Sequence, residues 1–192
     1  MAVKKFKAGT STWATAEHWE ESGVPVIGDD VEFLSTSGSC EGKATAAKAR
    51  GINAEKYTGE LSFTTGSLEI GTTSESLGGV ALKFNTAGLM TFKAPGIVKF
   101  KSSAGVSEKI FTGGNAFKEF VIATLAANCK YKLEDELKVT TLAEIARGEL
   151  NTNGKLCEWA KFNSNSTSAR SLILGSSTVK LTGTGLIWFW KG

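Results

Sequence analysis

Apolar and polar residues alternate along most of this chain in runs of three to five, and glycine closes nearly every run. Val31 and Phe33 flank Glu32; Leu61 and Phe63 alternate with polar neighbours before Gly66; Leu68 and Ile70 precede Gly71. Val80, Leu82 and Phe84 follow Gly78-Gly79, Met90 and Phe92 follow Gly88, and Val98 and Phe100 follow Pro95-Gly96. A period of two marks a strand with one buried face, since slipping by one residue would turn the whole apolar set to water. Glycine between the runs supplies the positive φ that tight turns require. The second half keeps the style with longer spacers: Phe117, Phe120 and Ile122, then Tyr131 and Leu133, Leu137 and Val139, Leu172 and Leu174, Val179 and Leu181. Asn151-Thr152-Asn153-Gly154 reads as a turn and residues 163–170 as a polar loop.

Two segments compete with this pattern. KATAAKAR (43–50) has the propensity for a short helix, and Leu142 and Ile145 in LAEIARGEL sit at helical spacing, although Gly148 and the turn after it favour a strand there. Short strands at 7–12 residue spacing fit either of two all-β architectures. One is a parallel β-solenoid, with about 20 residues to each coil; the other is an antiparallel sandwich or jelly roll. No repeat in the sequence chooses between them. Residues 1–12 read as a basic arm, and 13–192 as a single all-β domain ending in an apolar strand at 186–190.

Composition narrows the function. A chain of 192 residues with 22 glycines and 2 prolines can build one well-filled core. A net charge of +3, with arginine only at 50, 147 and 170, does not predict specific nucleic-acid binding. Lys4, Lys5 and Lys7 form a cluster suited to an acidic partner or to plain solvation. Cys40, Cys129 and Cys157 are too scattered for a disulfide framework or a zinc site, and read as buried thiols of a protein made in a reducing cytoplasm. MAVKKFKAGT lacks the apolar region of a secretory signal, and no run nears the ~18 apolar residues of a membrane span. An unexported product with no membrane role is the expectation.

Candidate chemistry is sparse. His18 is the single histidine, so a catalytic triad or a zinc centre would have to use it, and its place between Trp13 and Trp19 favours packing. Asp29-Asp30 with Glu32 offers carboxylates to calcium or to a hydrolase, but reads first as turn chemistry; Glu134-Asp135-Glu136 reads as a solvated turn. Ser177 and Lys180 match S-x-x-K without the helix that motif needs. No enzyme activity, metal or cofactor is expected. The tryptophans carry the binding expectation. Trp13, Trp19, Trp159, Trp188 and Trp190 can stack on sugars or serve as core or interface anchors, and Trp188 and Trp190 would share one side of a strand with Phe189 on the other. The expected interface set is therefore Lys4, Lys5, Lys7, Trp13, Trp19, Trp188, Phe189 and Trp190.

Residues 146–185, ARGELNTNGKLCEWAKFNSNSTSARSLILGSSTVKLTGTG, resemble a segment of many structural proteins of tailed bacteriophages: a glycine-led strand, an N-x-N-G turn, a Ser/Asn loop, an L-x-L-G-S-S-T strand and a T-G turn. The opening W-x(5)-W-x(3)-G-x-P-x-x-G-D-D-V (13–31) resembles the start of the same group. The likeness is dense over 13–33 and 148–185. It implies a β-solenoid-like virion protein without catalytic residues. The expected role is a capsid decoration or cement protein on the head surface, a trimer or other small homo-oligomer, bound to the major capsid protein or another virion protein. The alternative is a tail fibre, spike or adhesin module that binds host-surface glycans; a polysaccharide-degrading solenoid enzyme is a further rival.

Overall fold

The computed structural model describes residues 2–7, 11–21, 23–34, 38–42, 47–63, 66–71, 74, 76–86, 89–93 and 97–191. The chain is all-β and winds into a parallel β-solenoid of about 7 turns. All strand-to-strand ladders among the described residues are parallel, which rules out the antiparallel sandwich.

The coils lay their strands on three faces, and two long strands, Ala116–Ala123 and Leu137–Asn151, run from one face to the next. The first face stacks Val3–Phe6, Asp30–Phe33, Gly51–Ala54, Val80–Phe84, Ser107–Phe111, Lys130–Leu133, the end of Leu137–Asn151, and Arg170–Ile173. The second begins with Ser11–Thr12, Cys40–Glu41, Glu60–Ser62 and Thr91–Lys93. The Phe117 ring packs on Phe92 at 5.3 Å, and the face continues through the starts of Ala116–Ala123 and Leu137–Asn151, then Cys157–Trp159 and Val179–Leu181. The third stacks Ala47–Ala49, Ser67–Ile70, Ile97–Phe100, the later parts of the same two long strands, Phe162–Asn165 and Trp188–Lys191. KATAAKAR is thus not helical where described: Ala47–Ala49 is a strand, and residues 43–46 lie outside the described residues, as do Gly88 and Pro95-Gly96. LAEIARGEL lies within the long strand.

The alternation explains the stacking. In register, Val31, Ile52, Leu82, Ile110 and Leu133 form one inward column, and Leu68, Val98, Phe120, Ala143 and Phe162 another. All are buried, and each large apolar side chain contributes about 1.5–3 kcal/mol on full burial. Corners are stitched by side chains that reach carbonyls of adjacent coils. The Nδ2 groups of Asn85, Asn115 and Asn153 donate to Tyr57, Asn85 and Leu133 at 2.9, 3.1 and 2.9 Å. Asp135, in the expected solvated turn, accepts the amide hydrogens of Thr112 and Gly113 at 2.8 and 2.7 Å. Those amides belong to the corner below, so the carboxylate clamps two coils together.

The expected basic arm is instead the first rung. Val3–Phe6 pairs in register with Asp30–Phe33, which turns Lys4 and Phe6 inward and leaves Lys4 buried at 8% exposure. Residues 8–10 of that arm lie outside the described residues.

Candidate functional site

The two ends of the solenoid differ. At the first end the chain folds back over its own opening strand: the Lys7 amide donates to the His18 carbonyl at 2.8 Å and the Glu20 amide to Lys5 at 2.9 Å. This places Trp19 under Phe6, with ring centroids 5.2 Å apart, and beside Trp13, again at 5.2 Å. The Trp19 Nε1 donates to the Trp13 carbonyl at 3.1 Å, and His18 stacks on Phe6 at 6.4 Å. Trp13 and Trp19 are 3% and 1% exposed. They close the core from within, so they do not present an interface; sequence spacing could not distinguish a plug from a platform. Of the basic cluster, Lys5 sits in register with Glu32 on the outward side, and Lys7 caps the Glu17 carbonyl at 2.8 Å.

At the other end lies the outermost coil of the described residues. Arg170–Ile173, Val179–Leu181 and Trp188–Lys191 each pair on one side only among the described residues. Their inward positions continue the buried columns: Leu172 on Leu150, Val179 on Cys157, Leu181 on Trp159, Trp188 on Phe162 and Trp190 on Ser164. Below this rung those partners are buried. On it, Leu172, Val179 and Leu181 are half-buried, while Trp188 and Trp190 are 37% and 42% exposed. Among the described residues this rung therefore leaves a partly exposed apolar ring, bordered by three strand edges that pair on one side only.

The tryptophans lie flat on the rung beneath. Trp188 stacks on Phe162 at 4.5 Å and on Trp159 at 6.4 Å, and Trp190 lies nearly parallel to Phe162 at 6.2 Å. The Arg170 guanidinium sits 5.2 Å from the Trp190 ring, held by its Nε donating to Ser164 Oγ at 2.6 Å. Phe189 points to the opposite side, where it, Leu142 and Leu186 line a shallow hollow of about 280 Å³. The structure thus brings Trp188, Phe189 and Trp190 together, far along the chain from Lys4, Lys5, Lys7, Trp13 and Trp19. Leu172, Val179, Leu181 and Arg170 join the tryptophans, and only the coil register identifies them.

The end is also basic. Beyond Glu158 the sequence holds Lys161, Arg170, Lys180 and Lys191 and no acidic residue. In one outward column of the second face Ala116, Lys138, Glu158 and Lys180 stand in register, and the Lys180 Nζ lies 3.0 Å from the Glu158 carboxylate.

Other candidate chemistry is used in packing. Asp30 pairs with Arg50 as a buried ion pair, and Asp29 accepts the Val26 amide at 3.2 Å. Ser177 shares a hydrogen bond with Thr152 at 2.7 Å, and Lys180 turns to Glu158, so the S-x-x-K letters do not form a site. Burial pushes the Cys40 thiol well above its ordinary range and the Cys157 thiol up to about 12. Among the described residues no group of three His, Cys, Asp or Glu side chains is placed to hold a metal ion, and no helix is long and apolar enough to cross a membrane.

Comparison of the chain with family models, curated proteins and solved structures returned no match.

Proposed function

We propose that this chain is a structural protein of a tailed-phage virion, most specifically a head decoration or cement protein. In this reading it is not an enzyme and works by burying the Trp188 and Trp190 surface against the major capsid protein or another virion protein. The observation that carries the reading is the aromatic cluster on the outermost described coil, where Trp188 and Trp190 are 37% and 42% exposed while Trp13 and Trp19 are buried. Large exposed apolar side chains clustered on one surface mark a protein contact. The segments that resemble phage structural proteins, 13–33 and 148–185, hold the plug and most of the outermost coil. Attachment as a trimer or other small homo-oligomer would multiply the hold of each contact. The test is co-sedimentation with capsids that lack the protein, together with the capsid melting temperature. Saturable binding with a raised melting temperature, both lost on Trp188→Ala/Trp190→Ala, is the expected result. A folded protein that leaves capsids unchanged overturns the reading.

A second reading rests on the ring geometry. Trp188 and Trp190 present flat faces beside the Arg170 guanidinium, an arrangement that also stacks a sugar ring. It makes the chain a tail fibre or adhesin module. Binding to a host-glycan array that disappears in Trp190→Ala, with no capsid binding, would favour it.

A further inference from the structure

We infer that a recess on the outward side of the first face binds a primary ammonium or guanidinium group carried on an aliphatic stem, with Glu32 as its counter-ion. This goes beyond the docking reading, which uses the Trp188 and Trp190 surface.

The shape comes from Gly51. Asp30, Glu32, Gly51, Asn53, Val80 and Lys83 border a hollow of about 220 Å³. Glu32, Asn53 and Lys83 stand in register on three successive coils, and Gly51 leaves a position without a side chain beside that row. A Cβ on Gly51 would lie 2.7 Å from Ser76 Oγ and 2.9 Å from the Val80 carbonyl oxygen. The packing of the following coil therefore holds that position to glycine, and the gap is present before any guest arrives. Val3 and Val80 give the hollow aliphatic walls, which suit a methylene stem.

The charges select the guest. Asp30 is engaged by both the Nε and an Nη of Arg50, and the Lys83 Nζ lies 2.7 Å from the Glu55 carboxylate. Glu32 is half-buried, and among the described residues no ion pair or hydrogen bond reaches its carboxylate. Lys5 stands beside it in register and makes no ion pair with it. A half-buried carboxylate in a formed hollow is suited to a charged N–H donor. The Asn53 Oδ1 accepts the Glu55 amide hydrogen at 3.2 Å and keeps a second lone pair for the same donor. An anionic guest would meet Glu32 and Asp30 while Arg50 and Lys83 are already paired. A free alkylamine and a lysine or arginine side chain of another protein share the chemistry that fits.

The experiment follows the Gly51 and Asn53 backbone amides of the full chain by NMR. The probes are n-butylammonium, butyrate, butanol and a lysine blocked at both ends. Saturable shifts with n-butylammonium and none with butyrate or butanol are expected, and the affinity should fall as salt rises. Tighter binding of the blocked lysine than of n-butylammonium supports the site with a protein side chain as its source; weaker binding supports it with a free amine. Glu32→Gln should melt like the parent and bind n-butylammonium about tenfold more weakly. Glu149→Gln, on the same face in another column, should leave the affinity unchanged. Lys5→Gln should tighten binding, because it removes a like charge beside the guest. The absence of saturable shifts at Gly51 and Asn53, or equal shifts with butyrate or butanol, overturns the inference. So does an unaltered affinity in Glu32→Gln, an equal loss in Glu149→Gln, or weaker binding in Lys5→Gln.

Discussion

Asp30 and Arg50 show how a single pair of side chains holds a coil. Both are buried, at 9% side-chain exposure, so removing one charge strands the other away from water. Asp30→Asn is expected to cost about 3 kcal/mol, read as a lower denaturant midpoint. Glu144 behaves differently. It lies on the outward side of the third face, where partial burial, and then the charge of Glu119, raise its pKa above the ordinary carboxylate value, with Lys99 opposing. A raised carboxylate pKa favours the fold while the group is protonated, and that benefit disappears as pH rises through the folded-state value. Glu144→Gln should therefore melt above the parent at neutral pH, and the difference should close as pH falls below about 4.5. Thermal melts across that range check the sign.

Among the elements, the corners carry more than their composition suggests. Gly113 has φ +63°, and a Cβ there would run into the Asn85 carbonyl of the coil below, so Gly113→Ala should cost at least about 2 kcal/mol in denaturant unfolding. The strands were legible from period two and the glycine turns, and Leu68 with Ile70, or Val98 with Phe100, face inward as alternation predicts. Val80 does not. The register slips between Lys109 and Ile110, an irregularity that buries Ala81 beside Leu82 and leaves Val80 half-exposed. The coil repeat stayed hidden because its length changes: Asp30 stacks on Gly51, but Ile52 stacks on Leu82. Asp135 looked like a solvated turn because its partners, the Thr112 and Gly113 amides, belong to another coil.

For the whole molecule, the difference between the ends is what matters, and half of it could be read in advance. The alternation of Trp188, Phe189 and Trp190 was visible in the sequence, and the last strand has those side chains on opposite sides. Trp13 and Trp19 looked equally available, yet a chain reversal that no local pattern announces turns them into a plug. Leu172, Val179 and Leu181 carry no signal of their own, and belong to the end only because each stacks on a buried residue of the coil beneath. Backbone hydrogen exchange, with and without bound capsid, tests most directly whether this end is the working surface. Fast exchange is expected in the free protein along Arg170–Ile173, Val179–Leu181 and Trp188–Lys191, and protection of those amides on capsid, with Val3–Phe6 and residues 18–20 unchanged. Protection confined to the plugged end or to one lateral face, with the last rung still exchanging freely, would contradict it.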